Sequence, residues 1–183
     1  EKHLVTEVSY DDCYRDWTFD LTDAANEYTL HFLWLKDLLY IFDAYCFDVT
    51  ILSLLVLLQL GGFNCNTLFL TMALNNSTKQ LIQNHLFTLR QPRGYNFYFP
   101  GLRSVIVPQW DIEDFYFSGH MSTGVAFSYA LLNLWRKNPK SKFAKGAFLF
   151  WVGFRIPYMW AMMTVTHSHY VIDYLSGLAF GVV

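Results

Sequence analysis

The sequence predicts an all-α protein, a polytopic membrane bundle of about five or six helices with at least four spanning, and three observations carry that expectation. The chain is 54% hydrophobic, 19% aromatic and only 15% charged, whereas soluble domains carry roughly 25% charged and about 45–50% apolar residues. Apolar runs of roughly 20 residues, enough at 1.5 Å per residue to cross a ~30 Å hydrocarbon layer, recur along it. Five of its thirteen bases, Arg136, Lys137, Lys140, Lys142 and Lys145, crowd one short segment between two such runs, as the positive-inside rule expects of a cytoplasmic or matrix-like loop. So apolar a chain does not stay an open coil. A net charge of −2 offers no basic field for nucleic acid.

The elements follow in order. Residues 1–27 hold eight of the fifteen acids against Lys2 and Arg15 and read as an acidic, solvated N-terminal arm, with no basic-then-apolar signal pattern. Residues 28–183 form the membrane helical domain. Within it, residues 28–40 place Leu30, Leu33, Trp34 and Leu38 on one stripe interrupted by Lys36 and Asp37, an amphipathic interfacial helix or a poor span. Residues 41–60 are the most apolar stretch, ended by Gly61 and Gly62. Residues 65–89 turn polar after Leu74, and if they span, that half faces inward. Residues 90–117, with Pro92, Pro100 and Pro108, read as a structured loop. Spans are expected over 118–135, 146–165 and 167–183, the last carrying a Gly177–Gly181 packing pair. Trp110, Trp135 and Trp160 read as interface-belt residues. Cys13, Cys46 and Cys65 have no paired spacing and predict neither a disulfide framework nor a zinc ribbon.

This order places residues 118–120 and 167–173 at one membrane face, opposite the 136–145 loop. Chemistry-bearing residues concentrate there. In Asp114–His120 (DFYFSGH) a Ser-Gly pair opens a span, where free backbone N–H groups favour an anion. In HSHYVIDY, residues 167–174, His169 and Asp173 stand four apart; on a helix that shares one face, so the carboxylate can hold the imidazole in one tautomer. A carboxylate-oriented histidine is a nucleophile or base, and a second histidine from another helix can be the acid. A histidine metal site lacks a second carboxylate or cysteine near the pair, so no metal is expected.

The Asp-x-x-Phe-Ser-Gly-His stretch (Asp114, Phe117, Ser118, Gly119, His120) and the His-x-His-Tyr-x-x-Asp stretch (His167, His169, Tyr170, Asp173) resemble the motifs of the type-2 phosphatidic acid phosphatase superfamily. The resemblance is closer to its sphingomyelin synthase-like branch, which includes phosphatidylcholine:diacylglycerol cholinephosphotransferases. TLRQPRG, residues 88–94, is similar to a turn in that family, and the likeness covers residues 65–183. It implies metal- and cofactor-independent transfer of a phospholipid headgroup to a lipid alcohol, or to water, through a phosphohistidine. In that scheme His169, oriented by Asp173, attacks phosphorus, and His120 protonates the leaving diacylglycerol oxygen. Ser118, Gly119, Asp114, Lys79, Arg90, Arg93 and His167 form the candidate substrate-binding set. Asp114 either caps the following helix or orients His120, His167 either supports the site or lies at the interface, and the loop arginines either bind lipid phosphate or snorkel to headgroups.

The chain departs from the family in its cations. Counting back from Thr88 to the family's arginine lands on Gln80, beside Lys79, and a glutamine does not neutralise phosphate as an arginine fork does. Met163 stands where the phosphatase branch has another arginine. A second reading follows: a catalytically degenerate, lipid-binding accessory subunit of a larger membrane complex, joined through its acidic arm. The expected location is an endomembrane (ER or Golgi) or the mitochondrial inner membrane, as an integral membrane protein.

Overall fold

A computed structural model describes residues 16–85, 104 and 118–181, and all regular structure among them is helical. Six continuous helices follow one another: α1 (Trp17–His31), α2 (33–60), α3 (Cys65–His85), α4 (Gly119–Lys137), α5 (Lys142–Val165) and α6 (Val171–Phe180). α2 and α5 each contain one π-helical turn, Ile41–Tyr45 and Trp151–Arg155. In α5 the wide turn precedes Pro157, whose missing N–H and bulky ring are incompatible with a regular bond to the carbonyl of residue 153.

Neighbouring helices alternate in direction. α2 ends in a glycine turn, with the Gly61 N–H on Leu57 O (2.9 Å), the Phe63 N–H on Leu58 O (2.9 Å) and Gly62 at φ 72°, a conformation that favours glycine. That end lies against Leu134, near the C-terminus of α4. At the other end Lys79 of α3 reaches Gly119 at the start of α4, and Arg155 of α5 reaches Asp43 of α2. α4 is the central helix and buries Met121, Phe127, Leu131 and Leu134. Phe47, Ile51 and Leu58 of α2, Cys65 and Leu68 of α3, Trp151 and Met159 of α5 and Tyr174 of α6 join it in the core. The Trp151 indole donates to the Gly124 carbonyl (2.8 Å), satisfying its N–H inside that core.

Among the described residues two helices, Asp37–Leu60 and Lys142–Val165, 24 residues each, are long and apolar enough to cross a membrane, where at least four spans are expected of the full chain. α6 is described over 10 residues, about 15 Å of helix. α3 is diluted by its polar half, which does not turn wholly inward: Asn75, Thr78 and Lys79 are half-buried, but Asn76, Ser77 and Gln80 are exposed. α2 is apolar on both sides, burying Ile51, Leu54 and Leu58 while exposing Val49, Leu52, Val56 and Leu60.

In the described part of the arm expected over 1–27, Trp17, Asp20, Leu21, Ala24, Ala25 and Glu27 are exposed while Asp16, Thr18, Phe19 and Asn26 are buried. Residues 17–27 belong to α1, and the Asp16 carboxylate is fully buried. It caps α1 by accepting from the Thr18 N–H (3.0 Å) and hydroxyl (2.6 Å), and it also accepts from the Val171 N–H (2.6 Å) at the start of α6. Asn26 donates to the Val165 carbonyl (2.9 Å), an orphan group at the C-terminus of α5. α1 thus closes the end of the bundle where α5 passes into α6. Residues 28–40 are not one interfacial helix, because the chain breaks at Phe32 between α1 and α2.

The glycine pair of the last helix is a packing face. A Cβ on Gly177 would stand 2.6 Å from the Ser118 carbonyl oxygen, and one on Gly181 would stand 2.9 Å from that of Ser122. Only glycine lets the α6 backbone lie this close to α4. Of the belt tryptophans, Trp160 is half-exposed, Trp135 packs on Phe148 beside the basic loop, and Trp110 lies outside the described residues.

Candidate active site

The two histidine motifs meet at the end of the bundle away from the basic loop. Ser118 is the buried N-cap of α4, its hydroxyl facing the Met121 N–H at 3.4 Å, and its own N–H donates to the Asp173 carbonyl (2.9 Å). This backbone bond joins the first motif to the second. His120 sits in the first turn of α4, its ring 5.3 Å from Phe47 and 6.2 Å, edge-on, from the His169 ring. Its Nε2 atom is buried and meets no hydrogen-bond partner.

His169 does not lie on a helix, so its approach to Asp173 has a different cause from the shared face predicted. α6 begins at Val171 with Tyr170 as N-cap, and Asp173 is its third residue. The Asp173 Oδ2 accepts from the Tyr170 N–H (3.0 Å), as a capping-box carboxylate does, and the same oxygen faces His169 Nδ1 at 3.4 Å. The carboxylate is fully buried and the imidazole is 11% exposed. One oxygen therefore both starts α6 and orients the imidazole.

His167 resolves differently. It is fully buried, which removes the interfacial alternative, and its described contacts are with α1: the ring stacks on Phe19 at 4.3 Å, with Nε2 3.0 Å from the Thr22 hydroxyl and 3.9 Å from Asp23. Its φ of 50° is the left-handed conformation that commonly ends a helix, and the Ser168 N–H closes back onto Met163 O (3.0 Å). His167 thus turns the chain out of α5 and delivers His169. The ring packing holds a conformation that a non-glycine residue adopts at a cost.

Of the proposed phosphate-binding residues, Lys79 comes to the site: its Nζ stands 3.5 Å from where a Gly119 Cβ would be. Gln80 beside it is exposed. Asp114, Arg90 and Arg93 lie outside the described residues. In the connecting segment, Ser104 donates to the buried Asp48 carboxylate of α2 (2.9 Å).

The residues that reading by motif passed over are Arg155 and Asp43. Arg155 is 3% exposed. Its Nη2 donates to the Asp43 carbonyl (3.1 Å), and its guanidinium lies 5.3 Å from the Phe47 ring and 5.4 Å from the Tyr158 ring. Phe47 therefore neighbours both the His120 ring and the Arg155 guanidinium. The Arg155 Nε and the Asp43 Oδ1 are also buried without a hydrogen-bond partner. A lone charged residue inside an otherwise apolar run was the available signal, since such residues are costly unless they serve a site. Among the described residues no group of histidine, cysteine and acidic side chains is arranged to hold a metal ion. No protein-family model, no curated protein and no solved structure matches the chain.

Proposed function

We propose that the chain is a membrane phosphotransferase that moves a phospholipid headgroup to a lipid alcohol, or to water, through a phosphohistidine. The observation that carries this reading is the pairing of the His120 and His169 rings at 6.2 Å with Asp173 behind His169. Nδ1–H of His169 bonds the Asp173 carboxylate, which leaves Nε2 with its lone pair for attack on phosphorus. As the N–P bond forms, the P–O bond to diacylglycerol breaks and His120 gives its proton to the leaving oxygen. An in-line displacement needs the two histidines on opposite sides of phosphorus, so the rings part from their present contact to admit the group. In the second half, an alcohol or water gives its proton to His120 and attacks phosphorus, and His169 leaves. Lys79, over Gly119, supports the phosphoryl charge.

The apolar outward faces of α2 and α5 suit a lipid surround, and the 24-residue length of the two long helices suits a crossing. The acidic arm that favoured an accessory subunit loses part of its force, because Asp16 bonds within the chain. The test is headgroup transfer in vesicles holding the full chain and a phospholipid labelled with ³²P in its headgroup. Turnover with an acid-labile, His169-dependent protein phosphate supports the reading; no turnover across several donors replaces the enzyme with the accessory subunit.

A further inference from the structure

We propose that Arg155 is the phosphate-binding cation of this site, held in reserve by the Asp43 carbonyl until an anionic phosphoryl group arrives. The inference rests on the phosphotransfer reading for the identity of the group bound, but the anion site itself stands on independent geometry. A buried guanidinium normally satisfies its donors and its charge together, with a carboxylate on its fork. Arg155 does so only in part. The bond it makes is to a backbone carbonyl, no carboxylate among the described residues forms an ion pair with it, and its Nε–H is buried without an acceptor. The Asp43 carboxylate lies within electrostatic reach of this guanidinium, but the hydrogen bond between them runs to the Asp43 carbonyl, and the Asp43 Oδ1 is itself buried without a partner.

The placement fits the reacting centre. Arg155 and His120 each stand 5.3 Å from the same Phe47 ring, and His120 in turn meets His169 at 6.2 Å. His120 Nε2 and Arg155 Nε are thus two unsatisfied buried donors or acceptors on one aromatic support. A tetrahedral phosphoryl group carries several oxygens, so different ones can meet the two groups. The guanidinium, planar and permanently charged, takes such oxygens by its fork, which the exposed Gln80 side chain does not offer. Both elements that meet here, Trp151–Arg155 and Ile41–Tyr45, are π-helical turns. Such turns occur often at functional sites. The ligand chemistry is a phosphate mono- or diester oxygen, whether from a lipid headgroup or from free phosphate.

The experiment uses the detergent-solubilised full chain and titrates dihexanoyl phosphatidic acid, inorganic phosphate and, as an uncharged control, dihexanoylglycerol. Arg155→Gln is expected to weaken phosphatidic acid about 10- to 150-fold, the loss of one charge-assisted bond, with dihexanoylglycerol unchanged and Arg155→Lys in between. Weakening of inorganic phosphate by the same factor assigns the site to the phosphoryl group alone, whereas phosphatidic acid binding without inorganic phosphate binding assigns it to a lipid headgroup. Unchanged phosphatidic acid affinity in Arg155→Gln overturns the proposal, as does equal loss of the uncharged control. Because the variant removes a buried group, a second measurement uses wild-type protein: the Arg155 Nε–H resonance should shift on addition of phosphate, and a stationary signal at saturation overturns the proposal. His169→Ala separates the two ideas. Phosphate binding that persists there without any phosphohistidine in wild type would leave Arg155 an anion site and remove phosphotransfer, while phosphohistidine formation unaffected by Arg155→Gln would do the reverse.

Discussion

The Ser118 N–H donates to the Asp173 carbonyl across 2.9 Å, and through this bond the opening of α4 and the opening of α6 become one piece of structure. His120 follows Ser118 by two residues and His169 precedes Asp173 by four, so the separation of the two rings depends on how closely these helix starts approach. Gly177 sets that approach, since its α-carbon faces the Ser118 carbonyl.

Gly177→Ala should therefore displace α6 from α4 and destabilise the chain by about 1–3 kcal/mol, the usual range for overpacking a close contact. Gly153→Ala meets open space and should leave stability unchanged or slightly raised. Thermal unfolding of both variants in one detergent checks the difference; equal melting temperatures would show that the α4–α6 contact is not close.

Asp173→Asn keeps the size of the side chain but loses the negative charge that steadies the His169 imidazole. Headgroup transfer should fall about 10²–10⁴-fold, as when an orienting carboxylate is removed from a histidine. The helix cap should survive, because an amide oxygen still accepts from the Tyr170 N–H. Circular dichroism and transfer assays on one preparation separate the two effects; joint loss of helix and activity would make Asp173 a structural residue.

Asp16→Ala removes a carboxylate that caps α1 and binds α6 at once. The expected cost is about 1–2 kcal/mol for the cap alone, with more from the orphaned Val171 N–H. Faster amide exchange at Thr18 and Val171 together, relative to the α4 core, is the readout, and protection unchanged at Val171 would contradict the shared cap.

Lys79 and Gln80 should behave oppositely, because Lys79 stands over Gly119 while Gln80 is exposed. Lys79→Ala should lower transfer roughly 10-fold, of the order of one charge-assisted hydrogen bond. Gln80→Ala should not. Matching losses in the two variants would mean that α3 is rotated from its described position.

The basic segment and the histidines lie at opposite ends of α4, 19 residues long and so about 28 Å. In sealed vesicles, cysteines placed at Lys140 and at Gln80, in a chain without Cys13, Cys46 and Cys65, should label from opposite sides with an impermeant maleimide. Labelling from one side would show that α4 does not cross.

Much of this was legible in the sequence because it is local. Helix class follows from apolar runs and glycine stops, as at Gly61 and Gly62, and Ser118 followed by Gly-His marks a helix start whatever surrounds it. Asp173 within four residues of His169 ensures their proximity, although the cause is a helix cap rather than a helix face. What only the tertiary structure decided is which long-range partners complete these groups. Asp16 reads as one more acid of a solvated segment until α6 arrives to take its second oxygen, and His167 reads as either a support of the site or an interfacial residue until Phe19 stacks on its buried ring. Arg155 reads as a lone charge in an apolar run, and its meaning comes from Asp43 and Phe47, more than a hundred residues earlier in the chain. Burying a charge is favourable only with the right neighbours around it, and those neighbours are set by the packing of helices against one another, which no periodicity within a single helix encodes.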